Sequence, residues 1–64
     1  MRFAVDTDKG GRIMADTAEE AVKIASKDVY RSMPYEEAVR TLKAGKRVAW
    51  CYGFASVWIE PVEA

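Results

Sequence analysis

Histidine is absent from the sequence, and there is a single cysteine, Cys51. Without histidine the chain lacks the most common general acid–base residue and the most common zinc ligand, and it can form neither a Ser–His nor a Cys–His nucleophilic pair. One cysteine cannot form an internal disulfide, which suits a reducing compartment. We therefore expect a cytoplasmic, non-enzymatic protein with no metal and no cofactor.

The charge is balanced, and long apolar runs are missing. Ten Lys and Arg stand against ten Asp and Glu, so the formal net charge is zero. This balance argues against a strongly basic nucleic-acid binder and against a polyanionic tail. No apolar run approaches the roughly 18 residues of a membrane helix, so we expect no membrane segment. With 64 residues, half of them hydrophobic, the chain can bury one core, and we expect a single domain over residues 1–64.

Two short strands are predicted near the N-terminus, over residues 2–7 and 12–16. Gly10 and Gly11 between them favour a tight reversal. A three-residue loop over residues 9–11 places Thr7 opposite Ile13 and puts four apolar residues on one face of the hairpin. These are Phe3, Val5, Ile13 and Ala15.

The middle of the chain predicts two helices. Thr17 with Glu20 has the spacing of a capping box, so the first helix begins after Thr17, and it should end near Arg31, ahead of Pro34. The second helix is predicted from about Pro34 to Ala44, with Gly45 just beyond its end.

From Arg47 onward the hydrophobic period is two, which indicates a second hairpin. Gly53 at the first central position favours a type II′ turn over residues 52–55, which pairs Trp50 with Val57. Pro61 cannot donate to a ladder and should end the last strand. One face of this hairpin is wholly apolar: Val48, Trp50, Tyr52, Ala55, Val57 and Ile59.

The predicted fold is α+β, with the element order ββααββ. Two hairpins form an antiparallel four-stranded sheet, and both helices pack on one of its faces. The strand order is left open, because the hairpins can join through either edge. Trp58 falls on the uncovered face and is expected to form an exposed apolar patch with Ala49 and Cys51.

Acidic residues open both predicted helices: Glu19 and Glu20 in the first, Glu36 and Glu37 in the second. N-capping and the favourable interaction of acids with the positive end of the helix dipole explain these residues without a function. They can also form an acidic surface that engages a basic partner or imitates the phosphates of DNA. Our first hypothesis is a protein-binding surface made of these four acids, with Trp58 as an aromatic anchor.

Residues 40–47 hold the one local excess of positive charge: Arg40, Lys43, Lys46 and Arg47. Cations are favoured at a helix C-terminus, which explains them without a function. The alternative is a site for single-stranded nucleic acid that combines these cations with Trp58 or Tyr52. We rank nucleic acid below protein because the rest of the chain adds no net positive charge. A third hypothesis is a structural homodimer through Trp58, although a monomer is favoured.

Two further patterns resemble functional sites, and we assign a structural role to each of them. Asp6 and Asp8 have the spacing of a calcium loop, but Thr17 stands where a bidentate glutamate is required, so we predict no metal site. Cys51 lies in the middle of a predicted strand, in a chain without a histidine to activate it, and is interpreted as a small half-buried side chain rather than a nucleophile.

The segment over residues 12–22, a short strand that runs into a capped helix with Glu-Glu-Ala, resembles segments of many small bacteriophage and mobile-element proteins. The format of a tiny, cysteine-poor α/β unit without catalytic residues is similar to that of phage-encoded anti-CRISPR proteins. This resemblance implies an inhibitor in the cytoplasm of a bacterial host. Such proteins bind a CRISPR effector complex and block it, some of them as acidic DNA mimics.

Overall fold

The computed structural model describes residues 2–63 of the chain, which form four strands and two helices in the predicted order ββααββ. The strands and helices are β1 (Arg2–Thr7), β2 (Arg12–Ala15), α1 (Ala18–Asp28), α2 (Tyr35–Lys43), β3 (Val48–Tyr52) and β4 (Ala55–Glu63). Neither helix has the length and apolar character that crossing a membrane requires.

The strands form one antiparallel sheet in the order β2-β1-β4-β3. The two hairpins are therefore joined through β1 and β4, and β2 and β3 are the edges. Both helices pack on one face of this sheet, and the core lies between the two layers. The largest fully buried side chains come from both layers: Leu42, Ile59, Val5, Val22 and Val57. The α+β class and the four-stranded antiparallel sheet are confirmed.

The first hairpin has the predicted loop length but a different register. The loop is residues 8–10, because Gly10 takes the positive φ of 88° and donates its N–H to the Thr7 carbonyl at 3.0 Å. Val5 therefore pairs with Ile13, where the sequence predicted Thr7 opposite Ile13. The register differs from the prediction by two residues, an even number, so each side chain stays on the face of the hairpin that was predicted for it. Ile13 nevertheless stays 46% exposed, since β2 is an edge strand.

Helix α1 begins as predicted and ends early. The Glu20 N–H donates to Thr17 Oγ1 at 3.1 Å, which is the expected N-cap bond. The helix stops at Asp28 rather than near Arg31, because Val29 adopts an extended conformation and is buried. The carbonyl of Val29 accepts the indole N–H of Trp50 at 3.0 Å, so a tertiary contact takes the place of another helical turn.

Helix α2 ends in the motif that Gly45 predicts. Gly45 has a φ of 84° and donates to the Leu42 carbonyl at 3.0 Å, while Lys46 donates to the Thr41 carbonyl at 3.2 Å. This pair of bonds is the Schellman motif, which satisfies the last carbonyls of a helix and turns the chain sharply. The turn directs the chain into β3.

The second hairpin has the predicted register, with Trp50 opposite Val57 and Val48 opposite Ile59. Gly53 has a φ of 64° and Phe54 has no positive φ, as a type II′ turn requires. The predicted burial of Tyr52 is wrong, because Tyr52 is 64% exposed and lies outside the core.

Pro61 does not end β4, which continues to Glu63. Strand β3 begins at Val48, opposite Ile59, so Pro61 lies beyond β3 and pairs only with Phe3 of β1 among the described residues. A register shift between the partners of Arg2 and Phe3 marks an irregularity at this point. Proline is tolerated at edges and bulges, where one missing N–H donor does not break the ladder.

Candidate functional site

An ion pair joins the start of α1 to the end of α2. Lys43 Nζ lies 2.8 Å from Glu19 Oε2, so the two helices run antiparallel. The hydrogen bond from Lys43 lowers the pKa of Glu19 below its ordinary value. The carboxylate therefore stays ionised, and the pair holds the helix ends together at the protein surface.

The four acids of the first hypothesis lie in two groups, one at the start of each helix, and only Glu19 and Glu36 border a common depression. Glu19 and Glu20 lie at the start of α1, and Glu36 and Glu37 lie at the far end of the antiparallel α2. Glu19 is paired with Lys43, and Glu20 Oε1 accepts the Asp16 N–H at 3.4 Å as part of the helix cap. Both acids of the first group are therefore engaged by partners within the chain.

A shallow groove runs along α2 beside the ion pair. We call it the α2 groove; its volume is about 400 Å³ and its lining is mostly apolar. The side chains of Val39 and the half-buried Tyr35 supply the apolar part. The lining residues are Glu19, Tyr35, Glu36, Val39, Arg40 and Lys43.

A second depression of about 410 Å³ adjoins the α2 groove across the same ion pair. Glu19 and Lys43 line both depressions, and Phe3 of β1 with Ala18 of α1 supplies apolar atoms to the second. Two apolar depressions therefore flank one paired charge.

The α2 groove brings together residues that the sequence assigned to rival hypotheses. Glu19 and Glu36 belong to the predicted acidic surface, and Arg40 and Lys43 to the predicted nucleic-acid site. Glu36 and Arg40 are also one turn apart on α2, where opposite charges attract. The rim is therefore mixed in sign, and neither a purely acidic nor a purely basic surface exists here.

Trp58 lies on the other side of the molecule. Its neighbours in sequence, Val57 and Ile59, are fully buried under the helices, so alternation along β4 places Trp58 on the open sheet face. There it is half-buried between Ala49 of β3 and Asp6 of β1. Ala49 and Cys51 of the predicted patch are exposed as expected, and only Trp58 is less exposed than predicted. Trp58 shares no surface with the acids or with Arg40 and Lys43 on the helices.

An ionic cluster occupies the open face beside Trp58. Arg12 Nε lies 2.9 Å from Asp6 Oδ1, and its Nη2 lies 3.2 Å from Asp6 Oδ2 and 3.5 Å from Glu60 Oε1. The hydrogen bond to Asp6 raises the pKa of Arg12 above its ordinary value. Asp6, which the sequence placed in a calcium-like spacing, is 9% exposed and bound by a guanidinium. Among the side chains that the structure describes, residues 2–62, no group of three or more is arranged to hold a metal ion.

Lys46 and Arg47, the rest of the predicted basic site, lie in the turn between α2 and β3. Both are exposed, and neither forms an ion pair with another described residue. They differ in this from Lys43, which is paired with Glu19.

Of three exposed aromatic residues, the sequence named only Tyr52 in a candidate site, as the alternative to Trp58 beside the basic residues. Tyr30, Tyr52 and Phe54 are 73%, 64% and 103% exposed, and the rings of Tyr30 and Tyr52 meet edge to face at 5.5 Å. The exposure of Phe54 could have been predicted, because the two-residue turn at Gly53 places Phe54 at the tip of the second hairpin. Tyr30 could not be found in this way, because its position depends on the early end of α1.

Comparison of the chain with protein-family models, with curated proteins and with solved structures found no match.

Proposed function

We propose that this chain is a non-enzymatic binding protein that docks onto another protein through the α2 groove. The observation that carries the proposal is the apolar groove beside the Glu19–Lys43 ion pair, with charges of both signs at its rim. An apolar centre with a mixed polar rim suits an apolar side chain from a protein partner, flanked by polar groups that match the rim.

The charges at the groove favour protein over nucleic acid. A phosphate backbone needs several uncompensated cations. Lys43 is paired with Glu19 at 2.8 Å, and Arg40 lies one turn from Glu36, so the groove offers little net positive charge. The separation of the acids likewise argues against imitation of DNA phosphates, and we place the contact at the apolar groove instead.

The narrower proposal is an inhibitor of the anti-CRISPR type, which acts in the bacterial cytoplasm by occupying a surface of a CRISPR effector complex. Its support is the resemblance of residues 12–22 and the small α+β format. Occupation of a partner's surface needs a stable fold and an exposed docking site, and it needs no catalytic group.

The test is capture of partners from bacterial lysate by the tagged chain, with and without nuclease. The groove variant is the double exchange Glu36→Lys with Arg40→Glu, which reverses the rim while keeping the net charge and the i,i+4 pair. The control is Lys9→Glu. Lys9 lies in the exposed turn that follows β1 and does not line the α2 groove.

We expect the wild-type chain and the Lys9→Glu control to retain one protein complex in stoichiometric amount after nuclease treatment, and the exchange variant to lose it. Capture that disappears with nuclease would move the function to nucleic acid. Equal capture by all three chains would contradict a role for the groove.

A further inference from the structure

The outer edge of β3 carries unpaired backbone groups. β3 pairs with β4, and the two-residue turn makes Tyr52 and Ala55 the first hydrogen-bonded pair. Bonded and non-bonded pairs alternate from there, so Val48, Trp50 and Tyr52 direct their backbone groups toward β4. The N–H and C=O of Ala49 and Cys51 therefore point away from the sheet, and within residues 2–63 no backbone group bonds to them.

This edge lacks the features with which proteins block edge pairing. Exposed edges are usually interrupted by charged residues, proline or bulges, or are kept very short. β3 has the sequence Val-Ala-Trp-Cys-Tyr, with neither a charge nor a proline, and its pairing with β4 is regular. The opposite edge, β2, is shorter and carries Arg12. The two edges thus differ, and only β3 presents an uncharged, regular strand.

We propose that a second copy of this chain pairs with β3 in antiparallel orientation, about a two-fold axis at Trp50. In this register Ala49 lies opposite the partner's Cys51, and Cys51 lies opposite the partner's Ala49. The outward groups of these residues then form four backbone hydrogen bonds. The result is a continuous eight-stranded sheet with both helical layers on the same side.

The two ends of β3 complement each other across that axis. Lys46 and Arg47 precede the strand, exposed and without ion pairs among the described residues, and Tyr52 and Phe54 lie exposed at its other end. The two-fold axis brings the basic end of each copy to the aromatic end of the other. Lys46 then lies alongside the partner's Phe54, where an ammonium group and an aromatic face attract each other.

This complementarity selects a second copy as the occupant. An unrelated strand could form the same backbone bonds, but it would have to supply both an aromatic and a basic end in the right order. The chain itself already supplies them, and pairing covers Phe54, which is otherwise fully exposed. None of these residues lines the α2 groove, so this proposal and the proposed function can fail separately.

Sedimentation equilibrium of the purified chain measures the contact directly. We expect a reversible dimer of twice 7.2 kDa. Ala49→Pro removes one outward N–H without touching the ladder to β4, and it should give a monomer with an unchanged circular dichroism spectrum. Ala49→Thr keeps the N–H and should remain a dimer. A monomeric wild-type chain at all concentrations overturns the proposal, as does a dimer that Ala49→Pro leaves intact.

A disulfide reports the register even if the proline variant fails to fold. Ala49→Cys places a second thiol opposite the partner's Cys51, so mild oxidation should give a covalent dimer with two disulfides and no free thiol. Oxidised dimers that retain two free thiols, or a chain that stays monomeric under oxidation, contradict the register.

Phe54→Ala should raise the dissociation constant of the dimer about fivefold through loss of the two cation–aromatic contacts. An unchanged dissociation constant contradicts those contacts.

Discussion

The indole Nε1 of Trp50 donates a 3.0 Å hydrogen bond to the backbone carbonyl of Val29. Trp50 is 5% exposed and Val29 3% exposed, so the bond is shielded from water. It ties the edge strand β3 to the end of α1, two elements that are distant in sequence. The same contact explains why α1 stops at Asp28 and why the chain then passes along the sheet to α2.

Trp50→Phe should lower the free energy of unfolding by about 1–3 kcal/mol, because the buried carbonyl of Val29 loses its donor while most of the aromatic packing is kept. The matched control is Trp58→Phe on the open face, where the structure shows no hydrogen bond from the indole to another described residue. Urea denaturation of both variants measures the difference. Equal losses would contradict a specific role for the Trp50–Val29 bond.

Gly53→Ala should destabilise the second hairpin, and Gly11→Ala should not. A Cβ at either glycine meets no atom within 4 Å, but Gly53 has a φ of 64° and Gly11 does not adopt a positive φ. The expected loss at Gly53 is about 1–2 kcal/mol from backbone strain alone. Thermal unfolding followed by circular dichroism compares the two variants, and similar midpoints would show that the turn at Gly53 is not of type II′.

Thr17→Ala should lower the free energy of unfolding by about 0.5–2 kcal/mol, because the Glu20 N–H loses its acceptor at the start of α1. Thr17→Ser keeps a hydroxyl oxygen at the same place and should restore most of the loss. Chemical denaturation of the three chains gives the values. A Ser variant as unstable as the Ala variant would mean that Thr17 acts through packing rather than capping.

The stabilising effect of Glu19 should depend on pH. Lys43 lowers the pKa of Glu19 below its ordinary value of 4.5 in the folded state, so the contribution is complete above about pH 4.5 and is lost as the pH falls below it. The difference in free energy of unfolding between the wild type and Glu19→Gln should be constant from about pH 7 to pH 5 and shrink below pH 4.5.

Lys43→Gln removes the other member of the pair and should show the same pH profile, measured by urea denaturation. The effect is small for an exposed pair and weakens with added salt. A difference that persists at low pH would show that Glu19 and Lys43 act through packing instead of charge.

Local rules predicted much of this fold. The capping box at Thr17, the glycine after α2 and the type II′ turn at Gly53 each depend on a few adjacent residues, and each is found in the structure. The register of the second hairpin follows from that turn and from one apolar face. The shifted first hairpin shows the limit, since two adjacent glycines offered two places for the positive φ, and Gly10 takes it.

The surfaces could not be predicted from local rules. The α2 groove combines side chains of α2 with Glu19 of α1, which lies beside Lys43 although the two residues are far apart in sequence. The sequence grouped Trp58 with acids that the fold places on the opposite side of the sheet. The exposure of Tyr52 and Tyr30 depends on how β3 packs against the end of α1. These relationships are set by tertiary packing.

The most direct test of the binding surface is the ¹⁵N–¹H correlation spectrum of the labelled chain in nuclease-treated bacterial lysate, compared with the spectrum of the free chain. Docking through the α2 groove predicts that amide signals weaken first over residues 35–43 and around Glu19, while those around Trp58 persist. Signal loss centred on Trp58, Ala49 and Asp6, with α2 unchanged, would contradict the account and move the binding surface to the open face of the sheet.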